Sequence, residues 1–356
     1  MSNLSAPVPT KANMPIPVKP VGVCLVGLGR AGKFHIEALS NLGPRIVKIL
    51  YVVDVKEDLV KERAKELGCV GLTDMKQAME DPEVEAVIVG STTYMHHDHI
   101  MTALKAGKAC LTEKPIADNQ KELQELIDYV NTVDVPFRVG YQRRTDPNFR
   151  VLKQQIQMGL IGEPRIINCT SRDNPEPPME YLKVSGGIFH DMLTHDFDMI
   201  HFLTGQVPES VYSIGHAYNP KIEAMNDVDT AMVTLKYPNG LLATVNTSRI
   251  APYGYDQRVE VFGPKGMATA ENQKESTVVV ATDGGYQSAR ADYSFPERYP
   301  EAYLESDAEF IKMVIEHKKE DKADNERFVM LDKVARAAEK SLHENRVVFL
   351  SEFDEN

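Results

Sequence analysis

The sequence predicts an α/β protein with a doubly wound parallel sheet first and an α+β domain with an open, mainly antiparallel sheet second. Three observations predict it. Short, continuously apolar runs alternate with amphipathic stretches from Val21 to Val139, the pattern of strands buried on both faces by crossover helices. A glycine-rich turn joins the first of these runs to the first amphipathic stretch. Beyond Arg150, strand-like runs follow one another through turn signals such as Pro238-Asn239-Gly240 and Gly263-Pro264-Lys265-Gly266, as hairpin-linked strands do.

In order, Val21–Val26 reads as a strand, Gly32–Asn41 as a helix, Ile46–Val53 as a strand and Lys56–Leu67 as a helix. Val84–Val89, Ala109–Thr112 and Phe137–Val139 read as further strands, separated by helices at His97–Lys105 and Gln120–Val130. Strand–helix alternation with short links gives the parallel sheet, which ends near Gly140. In the second domain Pro164–Ser171 reads as a strand and Gly187–Leu203 as one helix. Strands follow at Val211–Tyr218, Thr230–Tyr237, Leu241–Thr247, Gln257–Phe262 and Thr277–Ala281, and two helices, Glu301–Glu316 and Phe328–Glu344, close the chain. The expected division is a loose arm over 1–20, rich in Pro, Ala, Ser and Lys, then a nucleotide-binding domain over 21–140 and a substrate-binding and oligomerisation domain over 141–356. The final helix of the second could pack back on the first.

Composition narrows the partners. The 356 residues carry a formal charge of −12 and no block of five or more Lys/Arg, which disfavours nucleic acid. No apolar run approaches the roughly 18 residues of a membrane span. Cys24, Cys69, Cys110 and Cys169 lie far apart with no CxxC pair, which suits a reducing cytoplasm.

Gly27-Leu28-Gly29-Arg30-Ala31-Gly32 carries the first functional signal. In a strand–turn–helix context Gly27 permits the tight turn, Gly29 lets a pyrophosphate approach the backbone, and Gly32 allows close helix–strand packing. The helix N-terminus offers free N–H groups to the phosphates. Asp54 ends the second strand where an acid would bind the adenosine ribose hydroxyls and repel a 2′-phosphate, so the expected cofactor is NAD in preference to NADP. This is the Rossmann arrangement.

Lys114 follows the Ala109–Thr112 strand in Glu113-Lys114-Pro115, at the carboxyl edge where ligands of open α/β sheets bind. The run from His190 to Asp198 is the densest polar cluster in the chain. On one helix Asp191, His195 and Asp198 fall at i, i+4 and i+7 and share a stripe. General acid–base chemistry, a metal site and a structural helix cap remain open there, although spacing sets His190 off the stripe and gives no zincin-like ligand set. The histidines of Tyr94–His99 face the same crevice, with His97 read as structural or cofactor-proximal.

With these residues in hand, the chain resembles the Gfo/Idh/MocA oxidoreductases from about Val21 to Leu350, and among them the dehydrogenases of inositol-like polyols. The resemblance rests on Gly27–Gly32, the Thr92 to His97 segment before a helix ending in Ala106-Gly107-Lys108, Glu113-Lys114-Pro115 and Val139–Arg144. Gly162-Glu163-Pro164, Asp191 with His195, Asp196 and Asp198, and Tyr253–Asp256 complete it. It implies cofactor contacts from Gly27, Gly29, Arg30, Ala31, Gly32 and Asp54, and from Thr92, His97, Glu113 and Lys114. It implies a catalytic trio of Lys114, Asp191 and His195, substrate contacts from these and from Arg143, Asp198 and Tyr255, no metal, and a homodimer or homotetramer. Two positions depart from the family pattern: Thr93 stands where proline is common, and Gln142 where the inositol enzymes carry methionine. The implied reaction oxidises a secondary alcohol of a cyclic polyol such as myo-inositol. An aldose, a sugar nucleotide, a dihydrodiol or a tetrapyrrole is the alternative substrate, and a non-catalytic NAD-sensing regulator the alternative of another class.

Overall fold

The computed structural model describes residues 7–354. The chain forms two compact units, one from 7–146 with 300–329, the other from 147–299 with 330–354 among the described residues. In chain order the first part runs β1 (Val21–Val26), α1 (Arg30–Leu42), β2 (Val47–Val53), α2 (Glu57–Leu67), β3 (Val70–Leu72) and α3 (Lys76–Glu80). It continues through β4 (Ala86–Val89), α4 (His96–Lys105), β5 (Ala109–Thr112), α5 (Gln120–Val130) and β6 (Phe137–Val139). Then follow α6 (Pro147–Gln157), β7 (Ile166–Arg172), α7 (Met179–Leu182), α8 (Gly187–Asp191), α9 (Thr194–Thr204), β8 (Ser210–His216), α10 (Pro220–Glu223), β9 (Thr230–Lys236) and β10 (Leu242–Ser248). The last elements are β11 (Asp256–Gly263), β12 (Gly266–Ala270), β13 (Val279–Thr282), β14 (Gly285–Ser288), α11 (Phe295–Arg298), α12 (Pro300–Glu316), α13 (Lys322–Glu344) and β15 (Val348–Phe349).

In the first unit six parallel strands pair in the order β3-β2-β1-β4-β5-β6. Strand order reverses at β1/β4, which opens a crevice beyond the carboxyl ends of the strands. β1, β4 and β5 are buried at every residue, as their unbroken apolar sequence requires. α5 shows how a helix is written locally. The Asn119 side chain accepts a hydrogen bond from the Glu122 amide at 3.0 Å, and Leu123, Leu126, Ile127 and Val130 recur at helical spacing and are buried. The unit takes α12 from far along the chain. Ala308, Phe310, Ile311 and Val314 share one apolar cluster with Val23, Leu25, Ile88 and Leu111, because α12 carries an apolar stripe and packs along α1.

In the second unit seven strands pair in the order β12-β11-β7-β10-β9-β8-β15. β7 and β10 run parallel and the remaining pairs antiparallel. β9 alternates buried and exposed residues, so one face is packed and the other open. On the packed side the Ser213 amide of β8 donates to Ser341 Oγ of α13.

The sequence reading of 187–203 as one helix is corrected here. The helix breaks at Met192-Leu193 into α8 and α9, and Gly186 and Gly187, at φ +84° and +82°, set off α8 from the preceding chain. Asp191 and His195 are therefore not placed by one continuous helical stripe. β3, β12, β14 and β15 escaped the sequence reading. They are short, and β3 carries an exposed valine, Val70, so neither length nor a buried apolar run announces them.

Candidate active site

In the first unit the glycine turn is built as its sequence demands. Gly27 has φ +89°, and a Cβ there would fall 2.4 Å from the Ser91 amide. A Cβ on Gly32 would fall 2.1 Å from the Gly27 carbonyl oxygen, so α1 can start this close to β1 only with glycine. A Cβ on Gly29 would meet nothing within 4 Å. That open space lies before an N-terminus whose N-cap, Gly29, supplies no side-chain hydrogen bond. A pyrophosphate fits such a cradle, with Gly29, Arg30 and Ala31 as its backbone. Asp54 leans back onto the turn: its carboxylate accepts from the Leu28 amide at 2.8 Å and from the Lys56 amide at 3.0 Å. Both bonds fix the carboxylate beside the turn as a ribose-binding acid needs to be fixed.

Thr92 is exposed and precedes a short 3-10 turn, Thr93–Met95. His97 pairs with Asp98, Nδ1 to Oδ1 at 3.2 Å. Its neighbour His96 makes the link between loops. It is buried, with Nδ1 2.6 Å from the Pro115 carbonyl oxygen and Nε2 2.9 Å from the Ser91 carbonyl oxygen. Sequence reading passed over His96, because one step along a helix start turns a side chain by about 100° and the spacing of adjacent histidines does not choose between them.

Lys114, half-buried, precedes Pro115 through a cis peptide bond. Glu113 is buried and pairs with His35 Nε2 at 3.3 Å, while His35 Nδ1 lies 3.0 Å from both oxygens of Asp307. Burial alone would lower the imidazole's pKa, but the charges and hydrogen bonds of Asp307 and Glu113 outweigh it and raise it to about 10. His35 and Asp307 were both missed. Only their burial side by side reveals them, across 272 residues of sequence. Arg143 is buried in the 3-10 turn Gln142–Thr145.

In the second unit Asp191 is buried. It accepts from the Tyr181 hydroxyl at 2.6 Å on Oδ1 and from Arg249 Nη1 at 3.2 Å on Oδ2. Every residue from Asp191 to Ile200 is buried except His195, which is half-buried. Asp198 is buried on α9. Tyr255 is buried, its ring edge-on to Tyr299 with centroids 5.9 Å apart. Among the described residues no group of three or more His, Cys, Asp or Glu side chains is arranged to hold a metal, and the four cysteines form no disulfide.

A glycine cradle at the switch point of a Rossmann sheet, followed by a unit with a mixed sheet and a polar segment, defines a dinucleotide-binding oxidoreductase class. Residues 21–141 match the oxidoreductase family with an NAD-binding Rossmann fold, and residues 149–269 match the Gfo/Idh/MocA C-terminal domain. The chain belongs to the Gfo/Idh/MocA oxidoreductase family. A myo-inositol 2-dehydrogenase of Thermotoga maritima is 40% identical over 331 residues, covering 92% of this chain and 98% of that protein. A scyllo-inositol 2-dehydrogenase (NAD(+)) of Bacillus subtilis is 34% identical over 80% of this chain and 83% of that protein. The crystal structure of a probable dehydrogenase from Thermotoga maritima aligns with a TM-score of 0.88 at 38% identity, covering 93% of this chain and 100% of that one.

Proposed function

We propose that the chain oxidises a secondary alcohol of a cyclic polyol, myo-inositol first among them, to the ketone with NAD as hydride acceptor. The observation that carries the reading is the near-full-length likeness to a myo-inositol 2-dehydrogenase in a chain that keeps Lys114, Asp191 and His195. The nicotinamide, when bound, supplies the hydride-accepting carbon. His195 takes the hydroxyl proton as general base. Lys114 donates to the oxygen as alkoxide character develops on it. Asp191, held by Tyr181 and Arg249, serves as a fixed anion that orients the polar groups. Arg143, Asp198 and Tyr255 contact the ring hydroxyls. Gly27, Gly29, Arg30, Ala31, Gly32 and Asp54 hold the dinucleotide, assisted by Thr92, His97, Glu113 and Lys114, and the Asp54 carboxylate favours NAD over NADP.

The likeness to a scyllo-inositol 2-dehydrogenase supports a second reading, the same chemistry on that isomer. A panel of inositol isomers, aldoses and a dihydrodiol, each with NAD and with NADP and followed by nicotinamide absorbance, tests both. Turnover confined to a non-inositol substrate would overturn them. Cysteines left out of disulfides agree with a cytoplasmic enzyme. Ile166, Leu242, Phe262 and Met267 form one exposed row on the open sheet face, and Ile214 and Met232 another. Apolar rows of this kind support a homo-oligomer joined through that face, a dimer or a tetramer.

A further inference from the structure

The break at Met192-Leu193 poses a physical question. Asp191 ends a helix of five residues, too short to hold a side chain by its own hydrogen bonding, and the next helix begins only at Thr194. Something else must set the direction of this carboxylate. Arg249, the residue after β10, is wholly buried. Its amide donates to the Asp229 carbonyl oxygen at 2.8 Å, which fixes the backbone from which the side chain departs. Its guanidinium meets Asp191 Oδ2 at 3.2 Å through Nη1 and approaches Asp227 Oδ2 to 3.8 Å through Nη2. Asp227 in turn accepts from the Ile188 amide at 3.1 Å, at the other end of the same short helix. One guanidinium thus hydrogen-bonds the last residue of α8 and sets its charge beside the carboxylate that holds the first turn. The second oxygen of Asp191 is closed by the Tyr181 hydroxyl at 2.6 Å.

The chemistry follows from burial. A guanidinium removed from water is tolerable only beside carboxylates that keep their charge. Its planar, always-charged fork directs one N–H at Asp191 Oδ2 while its charge faces Asp227, a fixed geometry that a rotating ammonium does not reproduce. With both oxygens engaged, Asp191 is a fixed anion and not a proton acceptor that cycles.

We infer that Arg249, with Tyr181, is a positioning residue for the reaction, holding Asp191 as an aimed, permanent anion beside α9. This rests on the polyol-oxidising reading above. A misplaced group of about 1 Å can cost about 10²-fold in rate. Arg249→Gln should therefore lower kcat by about that factor while leaving the KM for NAD near the wild-type value. Arg249→Lys should recover part of the loss, and added guanidinium ion should partly rescue Arg249→Ala. Tyr181→Phe should lower kcat by a smaller factor, again without a change in the KM for NAD. If Arg249→Gln does not fold, Arg249→Lys and Tyr181→Phe carry the test. Wild-type kcat in both would overturn the inference. A wild type that reduces NAD with no polyol would overturn the reading of the reaction instead. In that event urea unfolding of Arg249→Lys, Asp191→Asn and the double variant still decides whether Arg249 holds Asp191: a double variant whose midpoint falls by less than the sum of the single losses supports that hold, and additive losses overturn it.

Discussion

His35 Nδ1 lies 3.0 Å from both carboxylate oxygens of Asp307, joining the first helix of the sheet to a helix almost at the other end of the chain. The pair is out of water, and Glu113 closes its far side at 3.3 Å. Burial pushes the Asp307 carboxyl up from its usual range, so the imidazole's proton is what makes the cluster tolerable.

His35→Gln should therefore destabilise the protein by about 3–5 kcal/mol near neutral pH, the usual cost of breaking a buried pair. The histidine's folded pKa, about 10, lies above its ordinary value of 6.5. Its contribution is complete below pH 6.5 and is lost as pH rises through about 10. Urea unfolding of wild type and variant at pH 6.5, 8 and 10.5 checks this. A gap between them that stays constant across the series would refute it.

Asp54→Ala should weaken NAD by about 10- to 100-fold, the value of hydrogen bonds to a charged acceptor, and should affect NADP far less. Fluorescence titration with the two reduced cofactors measures both. Equal losses would remove Asp54 from the ribose site.

His195→Ala should lower kcat by about 10²–10⁴-fold, the range of general-base assistance, while NADH still binds. Stopped turnover without loss of cofactor affinity is the expected result, and an unchanged rate would remove the imidazole from the chemistry.

Met232→Lys, on the open face of β9, should shift the assembly toward monomer by placing a charge in an apolar contact. Light scattering coupled to gel filtration reads it. A monomeric wild type, or a variant of unchanged mass, would count against assembly through this face.

The parallel sheet was legible because its central strands are buried on both faces and so read as unbroken apolar runs, as Val21–Val26 and Ala86–Val89 do. The glycine turn was legible because backbone approach at Gly27 and Gly32 leaves no room for another residue. What escaped was set by partners distant in sequence. Arg249 looks like any arginine after a strand until Asp191 and Asp227 are seen around it. His35 looks like a helix-surface histidine until Asp307 covers it. The break between α8 and α9 was hidden because Asp191 to Ile200 is buried all round apart from His195 and mixes polar with apolar residues, so the segment carries no amphipathic period to interrupt.

Ala308, Phe310, Ile311 and Val314 of α12 complete the apolar cluster beneath β1, β4 and β5. During synthesis on the ribosome the sheet strands therefore emerge well before the helix that finishes their core. At about 5–20 residues per second, the roughly 160 residues between β6 and α12 keep that cluster waiting for on the order of ten seconds. A gene fragment stopped at Asp146 would leave the same surface bare for good, and should yield an aggregating product where a fragment with α12 fused to its end yields a soluble one.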